Sequence, residues 1–376
     1  MTGASSLRVL HVYKTYFPDT MGGIEKVLLQ LTEGLSRRNV RNRILVLSPN
    51  PTPSVIVRSE AEVFRYPITF QVASNPFSWQ AWKCFPEHVT WADIVHYQFP
   101  WPFADLLYLG HGRKKPSDVT YQSDIVRQKT WMKIYRPLMF RFLNSVDRVI
   151  ATSPDYQRTS EVLAQLGNET EVIPNGLDDA NCPPASEARV AHWRGSLGEG
   201  FGLFVGVLRY YKGLETLVLA ASHVRARIVI AGDGPELDRL RALAKAESVT
   251  NLVFLGHVSE EDKAALLKLA SVFVFPSHLR SEAFGMSLIE AAMHSKPMIS
   301  CEIGSGMSYI NKHNVTGLVV PPEVPSALAS AIQLLVDNPR LAKTMGSAAR
   351  MRYQALFTGE QMANSYYSLY QRVLGR

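Results

Sequence analysis

The sequence predicts an α/β protein built from two doubly wound, mostly parallel sheets. Three observations carry that prediction. Short apolar runs that read as buried strands alternate with stretches of helical period along nearly all of the 376 residues. The alternation breaks at a polar, proline-containing stretch, residues 177–200, and restarts at Gly202. Loops carrying glycine and charge follow the strands, on the edge where open parallel sheets bind ligands.

Leu7–Tyr13 reads as the first strand, followed by a loop, the pair Gly22-Gly23 and a helix over Ile24–Arg38. Ile24, Val27, Leu28, Leu31 and Leu35 give that helix one apolar face. A glycine pair between strand and helix lets backbone N–H groups approach a phosphate, so Gly22 and Gly23 are candidate ligand contacts. Strands are expected at Ile44–Ser48, Val63–Tyr66, Asp93–Tyr97, Val119–Tyr121, Arg148–Ala151 and Glu171–Pro174. His96–Phe103, aromatic and proline-rich, reads as a packed turn in preference to a sugar-stacking platform.

The segment 113–148 is basic and aromatic. Arg113, Lys114, Lys115, Arg127, Lys129, Lys133, Arg136, Arg141 and Arg148 lie among Trp131, Ile134, Tyr135 and Phe140. A helix there places Lys129, Lys133 and Arg136 on one face, with Pro137 kinking or restarting it. Two uses fit such a face, an anionic membrane surface or plain solvation over a core stripe.

The second half opens with a strand at Gly202–Val207, then Leu208-Arg-Tyr-Tyr-Lys-Gly213 and a helix at Leu214–Val224. Arg209 and Lys212, at the C-terminal end of a strand, suit a diphosphate. Strand-and-turn units follow at Arg227–Ala231 with Gly232-Asp-Gly-Pro235 and at Leu252–Leu255 with Gly256-His-Val258. Val272–Pro276 is a buried strand, and from Gly285 the apolar positions take helical spacing. The N–H groups of Phe284, Gly285 and Met286 would sit at the positive end of that helix and could bind phosphate. Glu290 lies roughly 7 Å further along the axis, about the distance from a phosphate to its ribose. Glu282, in the loop, could accept hydrogen bonds from sugar hydroxyls. Strands at Met298–Cys301 and Gly317–Val320 and a last helix over Gly359–Leu374 complete the chain.

Composition removes other classes. Apolar residues make up 46% and charged ones 19%, the balance of a globular protein. No run approaches the ~18 apolar residues of a membrane span, and the first residues lack the pattern of a signal peptide. Cys84, Cys182 and Cys301 are few, odd in number and far apart, which suggests reduced thiols in the cytoplasm. The net charge is +7, of which residues 1–175 hold +5 (20 Lys+Arg against 15 Asp+Glu), so an anionic partner is expected. No nucleic-acid module and no metal-ligand spacing of histidines is present, so neither nucleic acid nor a metal is expected.

Glu282-x7-Glu290 with Phe284-Gly285 between resembles the nucleotide-sugar signature of retaining GT-B glycosyltransferases of family four. Gly22-Gly23, Ser123-Asp124 and Arg209…Lys212 occur in the order that family shows, and the resemblance covers nearly the whole chain. It implies two Rossmann-like domains facing a central cleft: residues 1–176 on the acceptor side and 201–357 binding the nucleotide-sugar. A linker at 177–200 would join them, and residues 358–376 would form a crossover helix packing back on the first domain. It further implies Arg209, Lys212 and Glu282 as catalytic groups, and Gly22, Gly23, Phe284, Gly285, Met286 and Glu290 as donor contacts. Gly232, Gly256 and His257 would lie near the nucleotide base, and Gln122, Ser123 and Asp124 near the acceptor or transferred sugar. Many relatives carry histidine where this chain has Gln122, which hydrogen-bonds hydroxyls but takes no proton at neutral pH.

Within the family the chain looks closest to bacterial O-antigen enzymes transferring mannose or D-rhamnose from GDP-sugars. Val12–Tyr16, Ser123–Gln128 and Leu208–Gly213 carry that finer match. The expectation is a metal-independent, retaining transferase without a cofactor, its nucleotide-sugar a co-substrate and its acceptor a lipid-linked glycan. It would work in the cytoplasm, peripheral to the membrane. Two alternatives stay open at this point: a non-catalytic sugar-nucleotide-binding partner in polysaccharide assembly, and a nucleotide-sugar epimerase.

Overall fold

The computed structural model describes residues 6–375 apart from 74, 126–128 and 168. Residues up to Gly176, together with those from Gly359 onward, form one unit, and Leu177–Thr358 form a second.

The first unit is an eight-stranded sheet in the order 170–172, 148–151, 117–121, 94–99, 8–12, 41–48, 62–67 and 55–57. Every pair is parallel except the edge strand Val55–Val57, which runs antiparallel to Glu62–Pro67. Central strands buried on both faces need apolar residues at successive positions, as in Val9-Leu10 and Ile44–Leu47.

The structure corrects the expected loop at 96–103. Ile94–Phe99 is a strand buried at every position, and a helix begins at Pro102. The aromatic, proline-rich run 96–103 suggested a turn, but neighbouring strands on both sides enclose His96 and Gln98 and their partners lie inside. Pro137 likewise neither stops nor restarts its helix, which runs unbroken over Lys129–Leu143. A proline removes one backbone donor, and Pro137 stands at an exposed position within this helix. Arg127 and Gln128 lie outside the described residues, as do the side chains of Lys129, Trp131 and Met132.

The C-terminal helix Gly359–Val373 packs on the first unit through Met362, Ala363, Tyr366, Leu369 and Tyr370, all buried. Gly34 faces Ala363, and a Cβ there would overlap it.

The second unit is a wholly parallel six-stranded sheet in the order 252–256, 228–231, 202–205, 272–275, 298–301 and 317–320. Residues 177–200 are more than a linker. They contain the helix Glu187–Leu197, started by the Ser186 side chain, with Val190 and Leu197 in the core of this unit. Trp193 Nε1 donates to Asp262 at 2.9 Å. The apolar residues are too sparse there to show a stripe in sequence. Among the described residues no helix is long and apolar enough to cross a membrane.

Candidate active site

In the second unit the strand Gly202–Val205 leads into a tight turn over Tyr210–Lys212 that ends at Gly213. Gly213 has φ +65°, and a Cβ there would overlap the carbonyl oxygen of Pro276. Glycine is therefore required for this turn to lie against the end of the neighbouring strand Val272–Phe275. The His278 N–H donates to the Tyr211 carbonyl at 3.1 Å and ties the two loops together.

This seam brings Lys212 to Glu282. Their ion pair is largely enclosed, with side-chain exposures of 10% and 12%, and Lys212 Nζ also lies 4.4 Å from the Phe275 ring centroid. Burial and the Glu282 charge push the Tyr211 phenol up to about 12. Arg209 is exposed, and its side chain has no ion pair among the described residues. It borders an open pocket of about 370 Å³ together with Tyr210, Thr216, Arg239 and His278.

The helix Met286–Met293 starts from Gly285 in a left-handed conformation, φ +98°, with no side-chain cap. Its first N–H groups therefore remain available to an anionic ligand. The Phe284 side chain turns inward against Phe357 and Gly306, so only its backbone belongs to this rim. Glu290 stands in the second turn and pairs with Lys263, 2.6 Å away, from the helix Glu260–Leu269. Burial opposes charge on Lys263, yet the Glu290 and Glu260 carboxylates outweigh it and hold the ammonium above the usual lysine range.

The two expected base-side turns meet. Gly232 N–H donates to Gly256 O at 2.7 Å, closing an antiparallel bridge, and both glycines have positive φ. His257 is exposed beside them.

In the first unit, Gly22 caps the helix Gly23–Ser36 with φ −89° and ψ −178°, a conformation open to any residue. The close neighbour here is a side chain: a Cβ on Gly22 would meet the Glu25 carboxylate, which would have to shift to make room. Glu25 is buried and accepts from Thr15 Oγ1 and Thr20 Oγ1, both at 2.7 Å, so it holds the loop before the helix from two sides. A carboxylate in the first turn also suits the helix dipole.

Gln122, Ser123 and Asp124 follow the strand Ser117–Tyr121. Asp124 braces the loop, accepting from Tyr121 Oη at 2.9 Å and Ser160 Oγ at 2.7 Å. Gln122 is buried and sits between Gln98 and Asn175.

The structure thus gathers Arg209, Lys212, Glu282, Gly285, Met286 and Glu290 on loops and helix starts of the second unit, and Gly22, Gly23, Gln122, Ser123 and Asp124 in the first. Sequence reasoning missed Lys263, Glu25, Gln98 and Asn175. Only Glu25 left a local signal, an acidic residue in the first helical turn after the glycine pair. Among the described residues no group of three or more His, Cys, Asp or Glu side chains is arranged to hold a metal.

Two parallel α/β units, with ligand-ready loops at strand ends, define the GT-B class of sugar-transferring enzymes. Comparison with known proteins agrees. Residues 21–181 match Glycosyltransferase Family 4, and residues 194–352 match Glycosyl transferases group 1. The chain is 51% identical over 352 residues to D-rhamnosyltransferase WbpZ of Pseudomonas aeruginosa, covering 94% of this chain and 92% of that one. It is 44% identical over 368 residues to O-antigen chain mannosyltransferase C of Escherichia coli, covering 98% and 99%. The solved sucrose-phosphate synthase from Thermosynechococcus elongatus shares the fold, with a TM-score of 0.80 at 23% identity over 98% of this chain and 99% of that one. The chain belongs to the family-four, group 1 glycosyltransferases and is a glycosyltransferase.

Proposed function

We propose that this enzyme transfers mannose or D-rhamnose from a GDP-sugar to a lipid-linked glycan during O-antigen synthesis, with retention at the anomeric carbon and without a metal. The observation that carries the reading is the joining of Lys212 to Glu282 beside the uncapped start of the helix Met286–Met293. Cation, carboxylate and free N–H groups there match the needs of a sugar diphosphate ester. The names of the two bacterial relatives support the sugar and the pathway. GDP is proposed on the resemblance described above.

In this reading Arg209, Lys212 and the N–H groups of Phe284, Gly285 and Met286 stabilise charge growing on the departing diphosphate. That is electrostatic preorganisation, in which one lost donor lowers the rate by ~10²–10³. Glu282 orients the sugar while Lys212 holds its carboxylate in place. Glu290 takes the ribose, and Gly232, Gly256 and His257 border the base. Gly22 and Gly23 offer N–H groups from the turn that Glu25 shapes. Gln122 and Ser123 meet sugar hydroxyls, and Asp124 fixes their loop. The leaving phosphate accepts the incoming hydroxyl's proton, so Gln122 in place of a histidine does not block transfer.

The enzyme would act in the cytoplasm, at the inner membrane face. Arg113, Lys114, Lys133, Ile134, Arg136 and Arg141 are exposed, the mixture of cations and apolar surface that anionic lipid attracts. Incubating the purified protein with GDP-mannose or GDP-D-rhamnose and a lipid-linked glycan tests the proposal. An extended glycan with an α linkage is expected. Donor turnover without acceptor would point instead to an epimerase, and tight binding without product would refute transfer.

A further inference from the structure

A line of polar side chains crosses the face of the first unit's sheet on which the C-terminal helix packs. Tyr370 Oη lies 2.9 Å from His96 Nδ1. His96 Nε2 lies 2.7 Å from Thr120 Oγ1 and 3.2 Å from Gln98 Nε2. Gln122 Nε2 donates to Gln98 Oε1 at 2.9 Å, and Asn175 Nδ2 donates to Gln122 Oε1 at 3.2 Å. The line ends at Asn175 Oδ1, on a residue 3% exposed, and that oxygen has no donor among the described residues.

The order of donors and acceptors follows from one group. With its proton on Nδ1, facing Tyr370 Oη, His96 offers the Nε2 lone pair to the Gln98 amide N–H, and Gln98 then turns its carbonyl toward Gln122. Gln122 then turns its own carbonyl toward Asn175, and Asn175 is left presenting an unpaired acceptor. A proton on Nε2, whether in the other neutral tautomer or in the charged imidazole, would reverse all three carboxamides. The neutral form is the one favoured: burial, with the His11 imidazole beside it, holds the His96 pKa well below the usual range. The other titratable groups of this face are Asp118 on the adjacent strand and Tyr366 and Tyr370 on the helix. Burial pushes all three upward, toward their uncharged forms. Thr120 Oγ1, the second neighbour of His96 Nε2, is itself bonded to Tyr366 Oη at 2.5 Å.

We infer that His96 and Gln98 are positioning residues: through Gln122 they hold the Asn175 carbonyl oxygen as the acceptor for a hydroxyl of the sugar substrate. The inference rests on the transfer reaction proposed above and adds the groups that aim its sugar contact. The hydroxyl belongs either to the donor's hexose or to the acceptor glycan.

The test is the KM for each substrate, with the melting temperature measured alongside. Gln98→Leu breaks the line and is expected to raise one KM by about tenfold, roughly the loss of one hydrogen bond. The substrate whose KM rises owns the hydroxyl. Gln98→Glu, which still accepts from Gln122 Nε2, is expected to recover most of that loss. Unchanged KM values for a folded Gln98→Leu overturn the inference, as does a loss of kcat or melting temperature alone, or a KM defect that Gln98→Glu leaves in place. If Gln98→Leu does not fold, Asn175→Ala is read by the same KM criterion. A wild-type protein without turnover refutes the transfer reading itself, whereas an active wild type with unaffected variants refutes only the roles of His96, Gln98 and Asn175.

Discussion

Lys263 Nζ lies 2.6 Å from Glu290 Oε1, with side-chain exposures of 9% and 12%. The second glutamate of the Glu-x7-Glu pair is thus held in an ion pair by a lysine from another helix. Such a pair is dangerous to break from one side, because the remaining charge stays buried. Lys263→Met should destabilise the protein by about 3 kcal/mol or more in urea unfolding. Adding Glu290→Gln should recover a large part of that loss, whereas strict additivity of the two changes would show that the pair is not coupled.

Arg209 offers the cleanest catalytic test. It is exposed and makes no ion pair among the described residues, so Arg209→Ala should leave the melting temperature unchanged. Turnover should fall roughly a hundredfold or more. Glu282→Ala should lower turnover comparably, but it also strands Lys212 in a largely enclosed site. Its melting temperature should therefore drop, and Glu282→Gln is the better control. Wild-type rates in Arg209→Ala would remove that residue from the diphosphate site.

Gly22 and Glu25 compete for one space. Gly22→Ala should cost about 1–3 kcal/mol, since the new Cβ meets the Glu25 carboxylate. In a Glu25→Ala background the same change should cost under about 0.5 kcal/mol, within the range of unperturbed sites. Thermal unfolding of the four proteins measures the coupling. An equal cost in both backgrounds would place the demand for glycine elsewhere.

His88 gives the first unit a defined response to acid. It is buried, and burial with help from Arg43 lowers its pKa to about 4. The unfolded chain binds a proton near pH 6.5, so between about 6.5 and 4 it holds more protons than the folded one. Stability from this site is complete above pH 6.5 and drains away as pH falls toward 4. His88→Phe removes the titration but also the 2.7 Å bond to Tyr66 Oη, a constant offset. The wild type's advantage over His88→Phe should shrink by a few kcal/mol from pH 7 to pH 4.5. Asp105 and Asp118, whose buried carboxyls shift the opposite way, titrate in both proteins and cancel. A constant difference across that range would contradict the assignment.

The central parallel strands were legible, because sheets buried on both faces leave continuous apolar runs, whereas the short strands Val55–Val57, Phe70–Val72 and Asn75–Phe77 and the helices Trp79–Trp91 and Pro102–His111 were not read. Glycines required by positive φ, as at Gly213 and Gly285, marked the loops correctly. The spacing of Glu282 and Glu290 likewise put one in a loop and the other in a helix. The helix Glu187–Leu197 was hidden because it buries too few apolar side chains to print a period, and residues 96–99 were read into a turn because the prolines just after them mark a break.

What the sequence by itself determined is the central parallel strands and the strand ends at which ligands can be met, since both follow from local periodicity and turn chemistry. Only the tertiary structure decided which charge answers which. Glu282 meets Lys212 from 70 residues away, Glu290 meets Lys263 across two helices, and Gln122 meets Gln98, which lies against His96. Local sequence cannot encode these pairings, because an ion pair or hydrogen bond is fixed to within a fraction of an ångström by where distant segments come to rest.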